Sequence, residues 1–234
     1  MKEKTLNYDV LTYEDGNVFE SVEDVVEEKR YQVIVNEKIL YNLTCSPFNV
    51  LELLVGNMWM RNLIDNKEDI KSIDIGEEII KVFLNIETKN KNRDYKFVKS
   101  PLTLPKEKVP KLMKKLQERA NLFSRTGGVH NAGICDGEEI ILFMEDIGRH
   151  NTVDKLMGYC VLKEIDISDK IIVFSGRIPF EIINKLSMMG VPIFISKSAP
   201  TSLGVDMAKK YNITICGFTR GERYHIYSCP ERLV

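Results

Sequence analysis

The sequence has no C-x-x-C pair, no excess of charge of one sign and no long apolar run, and each absence removes a class of protein. Its five cysteines, Cys45, Cys135, Cys160, Cys216 and Cys229, are scattered through 234 residues. An odd, unclustered set argues against a disulfide framework or a zinc knuckle and points to reduced thiols. Cys160 lies in the helical run LMGYCVLKEI and Cys216 in the strand-like ITICGF, so both read as small apolar fillers of a core. Lys+Arg 33 against Asp+Glu 34 leaves a formal charge of -1. No global field therefore steers the chain to nucleic acid or an anionic membrane, and any bound anion needs a local site. No stretch approaches the roughly 18 apolar residues of a membrane span, and MKEKTLNYDV lacks the apolar centre of a signal peptide. The expectation is a soluble, cytoplasmic protein without a nucleic-acid or membrane partner.

The periodicities that are present divide the chain in two. The first thirty residues, rich in Glu and Asp, read as a frayed or edge segment. RYQVIVNEKILYNLTC alternates apolar and polar residues around Asn36-Glu37, which predicts a hairpin. Cys45-Ser46-Pro47 leads into FNVLELLVGNMWMRNLI at helical spacing, with Ser46 as a candidate N-cap and Pro47 in the first turn. IKSIDI and EEIIKVFLNIE, separated by Gly76, read as strands. The polar run TKNKNRDYKFVKSPLTLPKEKVP marks a boundary, giving an α+β domain over residues 1–108 and an α/β domain over 109–234. In the second, a helix ends near Ser124, and strand-like and helical segments then alternate from VHNAGIC to RYHIYSC. The predicted fold class is α/β: a three-layer αβα mixed sheet covered by helices on both faces, with right-handed crossovers.

Four segments gather polar residues and glycines where apolar strands end, the place where open α/β sheets bind ligands. They are TGGVH with Thr126, Gly127, Gly128 and His130; EDIGRHNTVDK with Asp146, Gly148, Arg149, His150, Asn151, Asp154 and Lys155; SGR with Ser175, Gly176 and Arg177; and SKSAPT with Ser198 and Thr201. The Gly127-Gly128 pair lets backbone approach a ligand and can turn successive N–H groups toward an oxyanion, although such a pair is more often only a turn. In EDIGRHNTVDK, capping by Asp146 or Asn151 and a solvated Asp154-Lys155 pair is the plainer reading. The functional one has Arg149 and His150 facing a cleft, with Asp146 or Asp154 orienting one of them. Arg177 supplies a second guanidinium, and two such forks suit phosphate or pyrophosphate. Ser198 or Thr201 caps the next helix, whose N-terminal dipole favours an anion.

In order, TGGVHNAG, MEDIGRHNTVDKLMG, FSGRIPFE, SKSAPTSLGVDMA and CGFTRGERYHIY resemble the motifs of the formate dehydrogenase accessory (FdhD) family, across Leu122 to Arg220, with a looser likeness through VNEKILYNLTCSPFNVLELLVGNMW. The resemblance implies a sulfurtransferase role: a persulfide supplied by a cysteine desulfurase is passed to the molybdenum cofactor for formate dehydrogenase. It implies binding of molybdenum bis(molybdopterin guanine dinucleotide) or a related guanine nucleotide, and a cytidine-deaminase-like fold for the second domain. The sixteen strand-end residues named above are then the cofactor-binding set. A deaminase's zinc ligands, H-x-E and P-C-x-x-C, are absent, so neither zinc nor another metal is expected.

One departure bears on mechanism. The family's cysteine-bearing loop corresponds here to FVKSPLTLPKEKVP, which has no cysteine, and Ser or Thr cannot carry a persulfide. No catalytic residue is assigned. Cys135, beside Asp136-Gly137, reads as the least core-like substitute, with Cys229 and Cys45 as others. The alternative is a cofactor-binding chaperone without sulfurtransferase activity, and a third reading is an unrelated nucleotide-binding enzyme. A homodimer is the expected assembly, since isologous dimers are the commonest.

Overall fold

A computed structural model describes residues 5–85 and 94–234; the predicted polar run falls partly outside them. The first element is a hairpin, β1 (Thr5–Glu14) and β2 (Asn17–Val26), turned at Asp15-Gly16 with φ of 49° and 87°. This corrects the expectation of a frayed or edge segment. Both faces of the hairpin are largely exposed, including Leu11, Tyr13, Val18 and Val22, so no burial pattern shapes its sequence. The signal that could have revealed it is the Asp-Gly turn dipeptide.

β3 (Lys29–Val35) and β4 (Lys38–Cys45) form the predicted hairpin, closed by Asn36 and Glu37 at φ of 46° and 66°. Tyr31, Val33 and Val35 point into the core, as period-two alternation requires. With β5 (Ile70–Ile75) and β6 (Ile79–Leu84) they make a four-stranded sheet ordered β4-β3-β6-β5, in which β3 and β6 are parallel. The helix α1 (Val50–Met60) follows β4. Ser46 is not its N-cap: Asn49, in the left-handed region, precedes the helix without a side-chain cap, and Ser46 is bonded elsewhere.

From α2 (Lys108–Arg119) onward the alternation is as read from the sequence. The helix is interrupted at Ala120, so that α3 (Asn121–Thr126) is a separate short turn capped by Gly127 in the left-handed region. The strands β7 (His130–Cys135), β8 (Ile140–Asp146), β9 (Ile171–Phe174), β10 (Ile193–Ser196), β11 (Thr214–Arg220) and β12 (Arg223–Ser228) form one mixed sheet ordered β12-β11-β10-β9-β7-β8. The helices α4 (Arg149–Lys163), α5 (Phe180–Met189) and α6 (Ser202–Tyr211) connect them.

β9 and β10 are buried along their whole length, as parallel strands at the centre of a covered sheet are. Ile172, Phe174 and Phe194 join the core with α4 and α5, whereas Ile171, Val173, Ile193 and Ile195 pack with Leu112, Met113 and Leu116 of α2. Helices therefore cover both faces. α1 crosses α4, and one apolar cluster runs from the four-stranded sheet through that crossing to the six-stranded sheet.

Candidate functional site

Strand directions bring the predicted segments to one edge. β9, β10 and β11 are parallel, while β8 reaches the same direction through two antiparallel steps across β7. Asp146, Phe174, Ser196 and Arg220 thus end their strands at the edge where β7 begins with His130, which is paired with Asp146.

Ser175 ties this edge together. Its hydroxyl accepts from the Asn131 N–H at 2.9 Å and lies 3.3 Å from His130 Nδ1, and its carbonyl accepts from the Ser198 hydroxyl at 3.0 Å. The Ser196 hydroxyl donates to the Gly176 carbonyl at 2.6 Å and accepts from the Ser198 N–H at 3.1 Å. Gly176 has no room for a side chain, since a β-carbon there would stand 2.7 Å from the Phe174 ring and 3.2 Å from Arg149 Cβ. The SGR and EDIGRH segments are therefore in contact.

Positive charge gathers around the two histidines of this edge. Burial, then the positive charge of Arg149 and of Arg177, hold the His130 imidazole below its ordinary pKa. Burial, then Lys185 and Arg149 do the same to His150. Arg149 Nε and His150 Nε2 are buried without a hydrogen-bond partner among the described residues. A buried polar nitrogen left without a partner costs free energy unless a ligand or water meets it.

Beside this edge is a cleft of about 390 Å³. His130, Asn131, Ser175, Lys197, Ser198 and Arg220 form its polar wall; Met113 and Leu116 of α2, Ala120 at the break and Phe123 of α3 form an apolar one. Sequence reasoning named His130, Ser175 and Ser198 but missed Asn131, Lys197 and Arg220. Lys197 lies inside SKSAPT and Arg220 inside CGFTRGERYHIY, so the cationic members were legible as strand-end residues. The helical wall carried no signal beyond its amphipathic spacing.

The other expected residues sit differently. Thr126, Gly127 and Gly128 close α3: Gly127 N–H donates to the Phe123 carbonyl at 2.7 Å, and Gly128 N–H to Thr126 Oγ1 at 3.1 Å. Thr201 is the N-cap of α6, accepting from Gly204 N–H at 3.2 Å. Asp146 and Lys155 are fully buried, with Lys155 Nζ 2.7 Å from Asp146 Oδ2, so the pair is not a surface for ligand. Asp154 is also buried, bonded to Lys185 and to Asn57 of α1. Its pairing with solvated Lys155 is replaced by these partners.

The thiols require a correction. Cys135 is buried, its sulfur accepts from Gly137 N–H, and burial pushes its pKa up to about 11. Its position beside a turn misled because the side chain points inward. Cys45, Cys160 and Cys216 are buried as well, each pushed up to about 12. Cys229 alone is partly exposed. Both Cys135, paired with Ile171, and Cys229, which follows the Ser228–Ile215 pair, lie at the sheet edge opposite the cleft.

A larger groove, about 750 Å³, is lined by Glu27, Lys29, Tyr31, Phe48, Glu52 and Glu77 among others. None of the strand-end residues reaches it, so the smaller cleft, where hydroxyls, cations and His130 converge, is the candidate site. Among the described residues no three His, Cys, Asp or Glu side chains come together as metal ligands, and no helix is long and apolar enough to cross a membrane.

Comparison with known proteins agrees with the motif order. A family model, the FdhD/NarQ family, matches residues 85–234. The sulfur carrier protein FdhD of Bacillus pumilus (strain SAFR-032) is 38% identical over 247 residues, covering 94% of each chain. That of Staphylococcus aureus (strain MRSA252) is 34% identical over 261 residues, covering 100% of this chain and 98% of its own. A crystal structure described as a formate dehydrogenase accessory protein, from Desulfotalea psychrophila, superposes with a TM-score of 0.87 over 99% of this chain and 100% of that one. At 24% identity it speaks for the fold. Similarity over nearly the whole length, with the strand-end motifs in place, makes the chain a member of the FdhD/NarQ family.

Proposed function

We propose that the chain is a sulfur carrier and accessory factor for formate dehydrogenase, which binds the guanine dinucleotide form of the molybdenum cofactor at the strand-end edge and supports its sulfuration. The observation that carries the binding step is the convergence of His130, Lys197 and Arg220 with the Ser175 and Ser198 hydroxyls in one cleft, with Arg149 and Arg177 adding positive charge felt by His130. A dinucleotide offers a pyrophosphate to such cations and flat rings to the apolar wall of Met113, Leu116 and Phe123. The orphaned Arg149 Nε–H supports an anionic cargo, since it is a cationic donor still lacking a partner. On this reading residues 109–234 form a cytidine-deaminase-like domain, and the protein works in the cytoplasm as a homodimer between a cysteine desulfurase and formate dehydrogenase.

The sulfur step rests on the relatives, which are named sulfur carriers. Persulfide transfer needs an accessible thiolate. The loop Phe97 to Pro110 offers none, and four of the five cysteines are buried. The test is incubation with a cysteine desulfurase and labelled cysteine, followed by mass spectrometry for protein-bound persulfide, with GDP binding measured in parallel. The proposal expects both loading and binding. Binding without loading would make the chain a cofactor chaperone without transferase activity, and failure of both would refute the assignment.

A further inference from the structure

Asp146 is a fully buried carboxylate that meets four donors. Oδ2 accepts from Lys155 Nζ at 2.7 Å and from Ser46 N–H at 3.2 Å; Oδ1 accepts from Gly148 N–H and from Asn151 Nδ2, each at 2.8 Å. Two further bonds cross the same junction. The Ser46 hydroxyl accepts from Ile147 N–H at 3.1 Å, and Asn151 Nδ2 also donates to the Thr44 carbonyl at 2.9 Å. The end of β4 in the N-terminal sheet is thereby tied to the loop that delivers Arg149 and His150, a hundred residues away in sequence. A β-carbon on Gly148 would lie 2.9 Å from Asn151 Nδ2 and so press on the amide that makes two of these bonds.

We infer that Asp146 is a positioning residue: through Ser46, Gly148, Asn151 and Lys155 it uses the N-terminal sheet to fix the Arg149–His150 corner of the ligand edge. The inference rests on the proposed binding of a guanine nucleotide at that edge. Two properties support a directing role over simple stability. The carboxylate's donors come from both ends of the junction, so its loss frees the loop and the β4 end together. A buried ion pair is also a poor stabiliser, because desolvating both charges offsets most of their attraction, and apolar residues of similar size often serve as well or better. Its value here lies in the directed hydrogen bonds.

That difference supplies the test, with GDP as the probe. In the Asp146→Leu/Lys155→Met double variant no lone buried charge remains, but the Ser46 and Gly148 N–H groups and the Glu145 carbonyl lose their partners, so the melting temperature is expected to fall and GDP affinity is measured well below it, on the folded protein. GDP affinity is expected to fall about tenfold or more, and the Ile147 amide, held by Ser46 Oγ, to exchange faster with solvent. The milder Ser46→Ala variant, which keeps the ion pair and does not line the cleft, is expected to show the same two changes in smaller degree. A folded double variant, or Ser46→Ala, with wild-type GDP affinity and an Ile147 amide as protected as before would overturn the inference. Should the wild type itself not bind GDP, the binding reading fails, and the Ile147 exchange rates still decide whether Asp146 orders the loop.

Discussion

Gly56 of α1 and Gly158 of α4 meet where the two helices cross: a β-carbon on Gly56 would stand 1.8 Å from the Asp154 carbonyl oxygen, and one on Gly158 1.8 Å from that of Glu52. Backbone touches backbone there. This contact lets α4, whose first turn carries Arg149 and His150, lie directly against the N-terminal part of the chain.

Gly158→Ala is therefore expected to force the helices apart. Overpacking of this kind costs about 1–3 kcal/mol, and more where backbone is the obstacle. Urea unfolding checks it, with Gly16→Ala in the exposed hairpin turn as the comparison for a loss due to positive φ alone. Gly158→Ala with wild-type or higher stability would show that the crossing tolerates a methyl group, since alanine is otherwise favoured over glycine within a helix.

Cation removal locates the ligand. Arg149→Ala, Arg177→Ala, Lys197→Ala and Arg220→Ala are each expected to weaken GDP binding by about 1.5–3 kcal/mol, the cost of losing a charge-assisted hydrogen bond. Calorimetric titration measures this. A loss confined to Lys197 and Arg220 would place the nucleotide in the cleft alone, and a loss confined to Arg149 and Arg177 would move it along the edge.

His130 makes stability depend on pH. Burial, Arg149 and Arg177 depress its folded pKa below the ordinary 6.5, so the unfolded chain binds the proton more readily. The stability it contributes is complete above that ordinary value and is lost as pH falls through it toward the folded pKa. The unfolding free energy is expected to fall as pH drops below the ordinary 6.5 toward the folded pKa, and less steeply in His130→Gln. An anion bound beside His130 opposes the two arginines, so GDP is expected to raise the imidazole pKa, visible by NMR among only three histidines.

Thiol reactivity separates the cysteines. An aromatic disulfide reagent is expected to modify Cys229 alone in the native protein, slowly because burial raises its pKa, and all five after denaturation. Cys229→Ser should leave no native thiol that reacts. Rapid labelling of Cys45 or Cys135 would show that a buried sulfur becomes accessible.

By itself the sequence determined the order and kind of the elements from β3 onward, because these follow from local spacing: period two in RYQVIV, a helical period in KLMKKLQ, and Gly or Pro between them. Motif order likewise made the family legible. What it could not determine was which polar residue turns inward. Asp146 and Asp154 read as site or surface groups, but their partners Ser46, Asn57 and Lys185 lie 31 to 100 residues away, and no local period encodes such pairs. The β1–β2 hairpin was hidden for the opposite reason, since a strand pair exposed on both faces leaves no alternation to read. Only the tertiary structure decided that Lys197 and Arg220 line the cleft with His130 and that Cys135 does not, because strand direction and pleat, not proximity in sequence, choose the edge and the face on which a side chain emerges.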